Sequence, residues 1–463
     1  MSLADIENAF KERGRIVIVG ASLAGLRAAE ALRREGFRGQ LIIVGEEAHE
    51  PYDRPPLSKQ VVIGDVPADH TALPRLGEVD ADWRLGIAAT GLDLNTKMVK
   101  LANGDSVGFD RVLIATGTRA RPWFNKEEAA IKGVLTLWTR EDAHVLQKHL
   151  ADKPRRVIII GAGFTGSETA SACRDLGLDV TVIDRGATPL NGALGGVLGR
   201  VAAAIQREHG VDLRCDMTVK ALEADKSGKL CAAHLSDGST LEAELSLIAL
   251  GSIRNVEWLA DSGLAVGTWG LACDTGCRAF DTFGIVTDDV FVAGDVSRSP
   301  QPLFDYQFLA LEHWGNAIKQ AEVAAHNMVN LQHRRRPHLS VPAFWSNQFD
   351  INIKSLGVPP FADEVMIVQG STESRRFLAV YGHKGRIVAA VAFNHAKWLQ
   401  RYEALIEEGA TFPPAINAMD APRDAKPVSA EFRDAPSTEN SPYIAITGYE
   451  PSERRAIMKH SHH

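Results

Sequence analysis

The hydrophobic positions of this chain repeat one pattern: a short apolar run leads into a glycine-rich turn, and a segment with helical periodicity follows. In the first copy the apolar residues 16–19 precede the turn GASLAG at residues 20–25, and residues 26–33 continue as the predicted helix. The pattern predicts a strand, a tight turn and a helix. Glycines in such a turn let the backbone approach phosphate oxygens, while the helix start supplies free N–H groups.

The second copy has the same order, with the apolar residues 157–160, the turn GAGFTG at residues 161–166 and a predicted helix over residues 167–176. A single glycine-rich turn is weak, because an ordinary turn before a helix explains it equally well. Two copies in one chain predict two dinucleotides brought together, which is the arrangement expected for hydride transfer.

A carboxylate follows each motif at the distance where a ribose hydroxyl needs an acceptor, about 20 residues on. Glu46 comes after the apolar residues 41–44, and Asp184 comes after residues 180–183. A solvated strand end is the alternative interpretation of each. The Asp184 carboxylate would accept from a ribose 2′-hydroxyl and repel a 2′-phosphate, which favours NADH, although Arg185 beside it could receive a phosphate.

Later segments indicate that the first nucleotide domain is discontinuous. Residues 246–250 and 290–293 predict further strands, and the helical pattern of residues 308–328 follows the second of these. Residues 112–117 and 247–251 are alike in sequence, and each falls near a plausible crossing between the two nucleotide domains. We expect the domain boundaries there.

The C-terminal third has a different pattern. Residues 377–381 and 387–393 are apolar segments joined by the turn GHKG, which predicts a β-hairpin in an α+β domain. A basic run at residues 334–336 precedes this region and is either a docking patch for an acidic partner or a solvated surface. From about residue 412 the composition is typical of a flexible tail, which if ordered would be pinned against a surface such as that of a partner subunit.

Composition limits the class of protein. The chain has 463 residues, of which 45% are hydrophobic and 24% charged, as in soluble proteins of about three domains. No apolar stretch approaches the ~20 residues of a membrane helix, and the polar N-terminus is no secretory signal, so we expect a cytoplasmic protein that does not bind membranes. The net charge of −7 argues against nucleic-acid binding. The five cysteines have no metal-ligand spacing, so we expect structural thiols and no metal site.

Several separated motifs then occur in a recognisable order. They are GASLAG, PYDRPPLSK at residues 51–59, ATG at 115–117, GAGFTG with Glu168, AGD at 293–295, EHW at 312–314 and FWS at 344–346. On these motifs the chain resembles the FAD-dependent pyridine nucleotide reductases, and within them the ferredoxin reductases that serve bacterial oxygenases. The resemblance covers about residues 14–414 and leaves the tail uncovered.

The resemblance implies an α/β fold with two Rossmann-like dinucleotide-binding domains, for FAD and NAD, and a C-terminal α+β interface domain. The implied FAD-binding domain comprises residues 1–121 and 251–333, with the NAD-binding domain, residues 122–250, inserted into it. Residues 334–414 form the interface domain and residues 415–463 a C-terminal extension.

The resemblance also implies residue roles. Lys59 would approach the flavin and pair with Glu168, and these two are the implied catalytic residues. A lysine there can offset negative charge on the reduced flavin. Helix capping by Lys59 is the alternative on sequence alone. The full set of implied cofactor-binding residues is Gly20, Ser22, Leu23, Ala24, Gly25, Glu46, Arg54, Lys59, Ala115, Thr116, Gly117, Gly161, Gly163, Phe164, Thr165, Gly166, Glu168, Asp184, Gly294, Asp295, Glu312, His313, Trp314 and Trp345.

Departures from the family pattern occur at three positions. Ser22 replaces a glycine of the first turn, so either the backbone shifts or the hydroxyl takes part. Trp138 stands where an arginine often contacts FAD, and Asn347 stands where an acid is frequent.

The electron acceptor is inferred from a missing motif. Disulfide reductases of this superfamily carry a redox-active cysteine pair under the flavin, where this chain has residues 54–59 and no cysteine. The resemblance therefore implies single-electron transfer from NADH and FAD to a docked two-iron ferredoxin, with Trp345 near the flavin on that side. Rubredoxin, a quinone or oxygen as acceptor, and an apoptosis-inducing-factor-like redox switch, remain alternatives. The chain is expected to be a monomer or homodimer.

Overall fold

The computed structural model describes residues 2–415, 419–422, 425–432, 443–447 and 455–459. Part of the predicted C-terminal extension therefore lies outside the described residues. The α-helices are Leu3–Arg13, Leu23–Arg34, Gln60–Ile63, Lys126–Ala129, Arg140–Ala151, Phe164–Asp175, Asn191–Glu208, Trp314–Val329 and Leu399–Glu407. Short 3₁₀ helices are Pro55–Ser58, Ala68–His70, Glu257–Leu259, Pro302–Phe304, Gln332–Arg334, Pro359–Phe361 and Ala396–Trp398.

The first parallel sheet is assembled from two distant parts of the chain. Its strand order is Arg278–Phe280, Val286–Val292, Arg111–Ile114, Arg15–Val19, Gln40–Gly45 and Asp82–Leu85. All neighbouring pairs are parallel except the first two strands. The central strands are buried apolar runs because helices cover the sheet.

The second parallel sheet repeats this arrangement. Its strand order is Asp212–Arg214, Val180–Ile183, Val157–Ile160, Leu245–Ile248 and Val134–Leu135, and every pair is parallel. In both sheets the strand that leads into the glycine-rich turn lies at the centre, so the turn and the following helix sit at the carboxyl edge of the sheet. The two Rossmann-like units predicted from the repeated pattern are confirmed.

The chain passes between the two sheets twice. Thr118–Ala120 leaves the first sheet, Ser252–Arg254 leaves the second, and these two strands pair in antiparallel fashion. The similar segments 112–117 and 247–251 lie just before them. The likeness between those segments therefore has a structural basis, because each continues the strand beside the glycine-rich turn of its own sheet.

The C-terminal sheet is antiparallel, in the order Ala343–Gln348, Ile351–Gly357, Arg386–Phe393, Arg376–His383, Glu364–Ser371 and Val428–Ser429. The predicted hairpin is confirmed, with Phe377 opposite Phe393 and His383 opposite Arg386. Its core is continuous with the second parallel sheet, since Val182 and Tyr381 belong to one buried apolar cluster. The predicted fold class is thus confirmed.

Smaller sheets complete the molecule. They comprise Ala89–Asp93, Met98–Leu101 and Ser106–Gly108; Val219–Ala224, Leu230–Leu235 and Thr240–Glu242; Val266–Gly267, Gly270–Ala272, Ser297–Gln301 and Gln307–Leu309; and Tyr443–Thr447 with Arg455–Lys459.

The helix predicted over residues 308–328 is wrong at its start. Phe308 lies in the strand Gln307–Leu309, opposite Pro300, and the helix begins only at Trp314. The apolar residues around Phe308 suit a half-buried strand as well as a helix, and the pairing with a neighbouring strand decides between them.

The described part of the tail is pinned against a surface, as predicted for an ordered tail, and that surface belongs to the same chain. Residues 428–432 pack on the same chain, where Val428–Ser429 forms the edge strand of the C-terminal sheet. No second subunit is needed to hold this segment.

Candidate active site

Both glycine-rich turns are too tight for side chains at two positions each. Gly20 has a φ of +121°, and a Cβ there would lie 2.0 Å from the Ala115 carbonyl oxygen. A Cβ on Gly25 would lie 1.9 Å from the Gly20 oxygen. Gly161 and Gly166 repeat this geometry, with a φ of +109° at Gly161 and a Cβ-to-oxygen distance of 2.0 Å at Gly166. Each turn thus brings bare backbone and a helix start together, which suits a pyrophosphate.

Ser22 fits the first turn without distortion. Its backbone is extended, with φ −112° and ψ −156°, much like the equivalent Gly163 with φ −73° and ψ −168°. Nothing lies within 4 Å of where a Cβ would stand on Gly163, so this position accepts a side chain. Leu23 and Ala24 are the first residues of the helix Leu23–Arg34. Of the two alternatives predicted for Ser22, the backbone shift does not occur.

The two predicted ribose acceptors differ in their surroundings. Glu46 directly follows the strand Gln40–Gly45 and is exposed. The Asp184 carboxylate instead accepts the backbone N–H groups of Ala162 and Gly186, both at 2.6 Å. Asp184 is therefore fixed against the second turn, which Phe164 and Thr165 follow as the first residues of the helix.

The segment Ala115, Thr116 and Gly117 is held by Asn255, a residue that the sequence did not single out. The Thr116 hydroxyl donates to the Asn255 carbonyl at 2.7 Å, and the Asn255 amide donates back to the Thr116 carbonyl at 2.9 Å. Because Asn255 follows the second crossing strand, this exchange couples the crossing to the edge of the first sheet.

Asp295 lies near the Glu312 carboxylate, at the start of the helix Leu23–Arg34. Gly294 packs against that helix and brings Asp295 to its first turn. The pKa of Asp295 is raised to about 7, mainly by burial and then by the nearby Glu312 carboxylate, against the opposing effects of Arg254 and Arg54. Glu312 accepts from the Ser252 hydroxyl and from Arg254, both at 2.5 Å, so its charge is partly neutralised.

His313 caps the helix Trp314–Val329 and is a neutral imidazole. Burial lowers its pKa to about 4, and its Nδ1 is buried with no hydrogen-bond partner among the described residues. Its ring lies 5.4 Å from that of Phe344, which also contacts Phe164 at 4.8 Å. A buried imidazole nitrogen without a protein partner is available to form a hydrogen bond with a polar group of a ligand at this helix start.

Trp314, the first residue of that helix, connects the first sheet to the C-terminal domain. Its Nε1 donates to Asp53 at 2.9 Å, and burial raises the pKa of the Asp53 carboxyl. The ring meets Trp345 edge-on with centroids 5.9 Å apart. Trp345 is 42% exposed and Trp314 is half-buried, so this aromatic pair reaches the surface.

Arg54 is engaged by the protein itself. Its guanidinium donates to the Tyr52 hydroxyl and to the Trp138 carbonyl, both at 2.8 Å, and pairs with Glu47. Arg140 stacks on the other side of this network, 4.3 Å from the Tyr52 ring centroid. Trp138 thus meets Arg54 through its backbone, and Arg140 supplies a guanidinium two residues later.

The most connected group of the site is the Glu168 carboxylate. Lys59 Nζ lies 2.9 Å from Oε2, and the two side chains are only 14% and 7% exposed. The hydroxyls of Ser58 and Ser346 each donate to the carboxylate at 2.6 Å. Lys59 also reaches the Pro55 carbonyl at 3.3 Å.

The structure thus brings together the two residues for which a catalytic pairing was predicted. It adds Ser58 and Ser346, which lie in the quoted motifs but were given no role. Glu168 belongs to the helix after the second turn, Lys59 to the first nucleotide unit and Ser346 to the C-terminal sheet. Three parts of the fold therefore meet at one buried carboxylate.

The cysteines form no disulfides. All five are free thiols, at Cys173, Cys215, Cys231, Cys273 and Cys277. The closely spaced Cys273 and Cys277 are buried, and burial raises the pKa of both thiols. Such thiols are poor nucleophiles, which agrees with the structural role predicted for them.

The basic run is neutralised by acids of the same chain. Arg334 pairs with Glu7, Arg335 with Asp288 at 3.5 Å, and Arg336 with Glu35 at 3.3 Å. These ion pairs favour the interpretation of a solvated, structural surface over that of a docking patch.

Two kinds of feature are absent from the described residues. No helix there combines the length and apolar character needed to cross a membrane. Nor do three or more His, Cys, Asp or Glu side chains in that part of the chain converge as they would around a metal ion.

Comparison with known proteins gives matches along most of the chain. Residues 14–321 match the family described as pyridine nucleotide-disulphide oxidoreductase, and residues 343–428 match the family described as reductase C-terminal. The ferredoxin–NAD(+) reductase component of the anthranilate 1,2-dioxygenase system of Burkholderia cepacia is 33% identical, over 85% of this chain and 94% of its own length. Rhodocoxin reductase of Rhodococcus erythropolis is 32% identical, over 78% and 82%.

Among solved structures, the covalent putidaredoxin reductase–putidaredoxin complex superposes with a TM-score of 0.79 at 27% identity. The superposition covers 86% of this chain and 93% of the other.

Proposed function

Because this chain belongs to the pyridine nucleotide-disulphide oxidoreductase family, we propose that it is an NADH-dependent FAD reductase that passes single electrons to a two-iron ferredoxin serving a bacterial oxygenase. This is the family that the sequence motifs indicate. Its matched relatives include a dioxygenase ferredoxin reductase component, which supports the same partner class here.

We assign FAD to the first glycine-rich turn and NADH to the second. Glu46 and Asp295 would hold FAD groups, with the buried Nδ1 of His313 available to a further polar edge. Asp184 would receive a ribose hydroxyl of NADH, because two backbone N–H groups fix its carboxylate at the second turn.

The domain assignment follows from the two crossings. We assign residues 1–121 and 251–333 to the FAD-binding domain and residues 122–250 to the NAD-binding domain. Residues 334–414 would form the interface domain and 415–463 the extension. The paired crossing strands Thr118–Ala120 and Ser252–Arg254 support boundaries near residues 121 and 251.

The observation that carries the proposal is the buried ion pair of Lys59 and Glu168 where the three parts meet. FAD, when bound, accepts a hydride from NADH and releases the electrons one at a time. Lys59 would present a fixed positive charge to the flavin. In a site of low dielectric, such a charge strongly stabilises the negative charge of the reduced flavin. Glu168 holds the ammonium in place, with Lys59 Nζ 2.9 Å from Oε2.

The acceptor is inferred from what surrounds this pair. The 3₁₀ helix Pro55–Ser58 and Lys59 occupy the place where a disulfide reductase has its cysteine pair, so electrons have no dithiol there to enter. The aromatic pair of Trp314 and Trp345 instead leads to the surface between the first nucleotide unit and the C-terminal sheet. A ferredoxin docked there would receive single electrons.

The proposal is tested by anaerobic mixing of the FAD-loaded protein with NADH and, separately, NADPH, followed by a two-iron ferredoxin. We expect rapid bleaching of the flavin with NADH and prompt reduction of the ferredoxin. Bleaching without ferredoxin reduction, with rubredoxin, a quinone or oxygen reduced instead, would overturn the partner assignment. A long-lived reduced complex that delivers electrons to none of them would favour the redox switch.

A further inference from the structure

The C-terminal extension crosses from the C-terminal sheet onto the second nucleotide unit. After the edge strand Val428–Ser429, the Ala430 N–H donates to the Asp363 carbonyl at 2.9 Å, and Ala430 is only 1% exposed. The chain then passes over the helix Asn191–Glu208, where the Gly196 N–H donates to the carbonyls of Ala430 and Glu431 at 3.2 and 3.3 Å.

The helix is shaped to receive this segment. Gly195 has a φ of +74° and interrupts the helical backbone, and a Cβ there would lie 2.2 Å from the Ala430 oxygen. A Cβ on Gly196 would lie 2.4 Å from the Glu431 carboxylate. Glycines inside a helix destabilise it, so this pair of glycines has a local cost that the docked segment helps to offset.

An ion pair fixes the register of the segment. The Arg200 guanidinium, on the same helix, donates to both carboxylate oxygens of Glu431 at 2.5 and 3.1 Å. A two-pronged pair of this kind sets orientation as well as position. Residue 432 is consequently placed at one location over the second nucleotide unit.

That location is the mouth of a cavity. Phe432 lines a cavity of about 260 Å³ together with Gly163 of the second turn, Asp184, Ala193 and Pro360 of the C-terminal domain. The Phe432 ring is half-buried and lies 6.5 Å from that of Tyr381, centroid to centroid. Asp184 marks this cavity as the place for the adenosine half of a dinucleotide, since the carboxylate after the second strand receives its ribose.

We propose that Phe432 is part of the nucleotide site, where its ring packs against the adenosine half of NADH. The C-terminal extension then forms one wall of that site, and its contacts with Gly195 and Gly196 hold it in position. This inference rests on the proposed function, because it takes NADH as the ligand of the second turn.

The test compares Phe432→Ala with wild type by calorimetric titration of the FAD-loaded protein with ADP-ribose, which carries the adenosine half alone. We expect the dissociation constant to rise about 5- to 100-fold, the range found when an aromatic ring is removed from beside a base. Phe432→Tyr should restore tight binding. Val428→Ala, on the same segment but outside the cavity, is the matched control and should bind like wild type.

A second readout separates the halves of the ligand. Reduced nicotinamide mononucleotide lacks the adenosine, so it should reduce Phe432→Ala and wild type at the same rate, whereas NADH at low concentration should reduce the variant more slowly. Unchanged ADP-ribose binding, tighter binding, or equal weakening in Val428→Ala would each overturn the inference. If NADH fails to reduce even the wild type, the proposed function has failed instead.

Discussion

At the scale of single residues, the Glu168 carboxylate is the most heavily used group of the site. It accepts from one ammonium and two hydroxyls, all within 2.9 Å, in a buried position. A buried carboxylate needs such partners, because leaving it uncompensated costs several kcal/mol. The two serines would keep Glu168 hydrogen-bonded if the lysine were lost, but its counter-charge would go, so the rate of the reaction and the stability of the fold have to be measured separately.

Replacing Lys59 by Met is expected to slow flavin reduction by NADH by about ten-fold or more, because a preorganised positive charge is removed from the reacting centre. FAD content should change little, whereas thermal stability should fall, because Glu168 loses its counter-charge even though Ser58 and Ser346 still donate to it. Stopped-flow absorbance under anaerobic conditions measures the rate. Lys226→Met, on an exposed turn, is the control. A Lys59→Met variant with the wild-type rate would remove this residue from the proposed role.

Asp295 is expected to make the FAD-free protein less stable as the pH rises. Its pKa is about 7 in the folded protein against 3.8 as the ordinary value, so the folded state holds a proton that the unfolded chain has released. The stability is therefore fully present below about pH 4, falls as the pH rises through 7, and is level above that. Urea denaturation of the FAD-free protein at several pH values measures this. The dependence of the free energy of unfolding on pH should weaken in Asp295→Asn. An equal dependence in both proteins would contradict the assignment.

At the scale of elements, the chain uses one strand–turn–helix unit twice, and the two turns differ at three of their six positions, one of which has Ser22 in place of Gly163. Ser22 and Gly163 have similar extended backbones, so a side chain is tolerated there. Gly25 and Gly166 tolerate none, because each packs on the carbonyl of the glycine that opens its turn. Glycine is therefore required at Gly25 and Gly166, where the helix contacts the start of its turn. It is not required at the position of Ser22 and Gly163.

Gly166→Ala is expected to abolish reduction by NADH at ordinary concentrations while FAD remains bound. The added Cβ would lie 2.0 Å from the Gly161 oxygen, which forces the second helix away from its turn. Gly163→Ser, which copies the residue of the first turn, should retain most of the activity. The ratio of flavin to protein and the apparent KM for NADH report the two effects. Equal damage by both substitutions would show that the tight contact is not what matters.

At the scale of the whole molecule, three parts of the fold converge on one buried ion pair, and an aromatic pair leads from there to the surface. Part of this could be predicted from the sequence. The two glycine-rich turns and the strands before them are local patterns, and the pairing of Lys59 with Glu168 followed from a family resemblance rather than from spacing.

Other features could not be predicted because they depend on contacts between distant segments. The hydroxyl of Ser346 reaches Glu168, and the amide of Asn255 holds Thr116, only after the domains have packed. The apolar pattern alone does not give the helix start at Trp314, because Phe308 suits either type of element. The composition of the tail does not predict that Glu431 pairs with Arg200, which lies on the helix Asn191–Glu208 of the second nucleotide unit.

Trp345→Ala is expected to slow ferredoxin reduction several-fold while leaving flavin reduction by NADH unchanged, because the exposed ring lies at the surface end of the aromatic pair. Trp398→Ala is the matched control, since the two rings are equally exposed at 42%. Ferredoxin reduction by the NADH-reduced protein, followed at increasing ferredoxin concentration, measures both. Loss of the NADH reaction in Trp345→Ala, or equal losses in the two variants, would argue against docking at this surface.

The most direct test of the account is the electron stoichiometry of one turnover. The FAD-loaded protein is reduced anaerobically with one equivalent of NADH and mixed with an excess of oxidised two-iron ferredoxin, and the reduced ferredoxin is counted by absorbance. We expect two reduced ferredoxin molecules for each NADH consumed, formed in successive single-electron steps. A flavin that bleaches and then leaves the ferredoxin oxidised would contradict it.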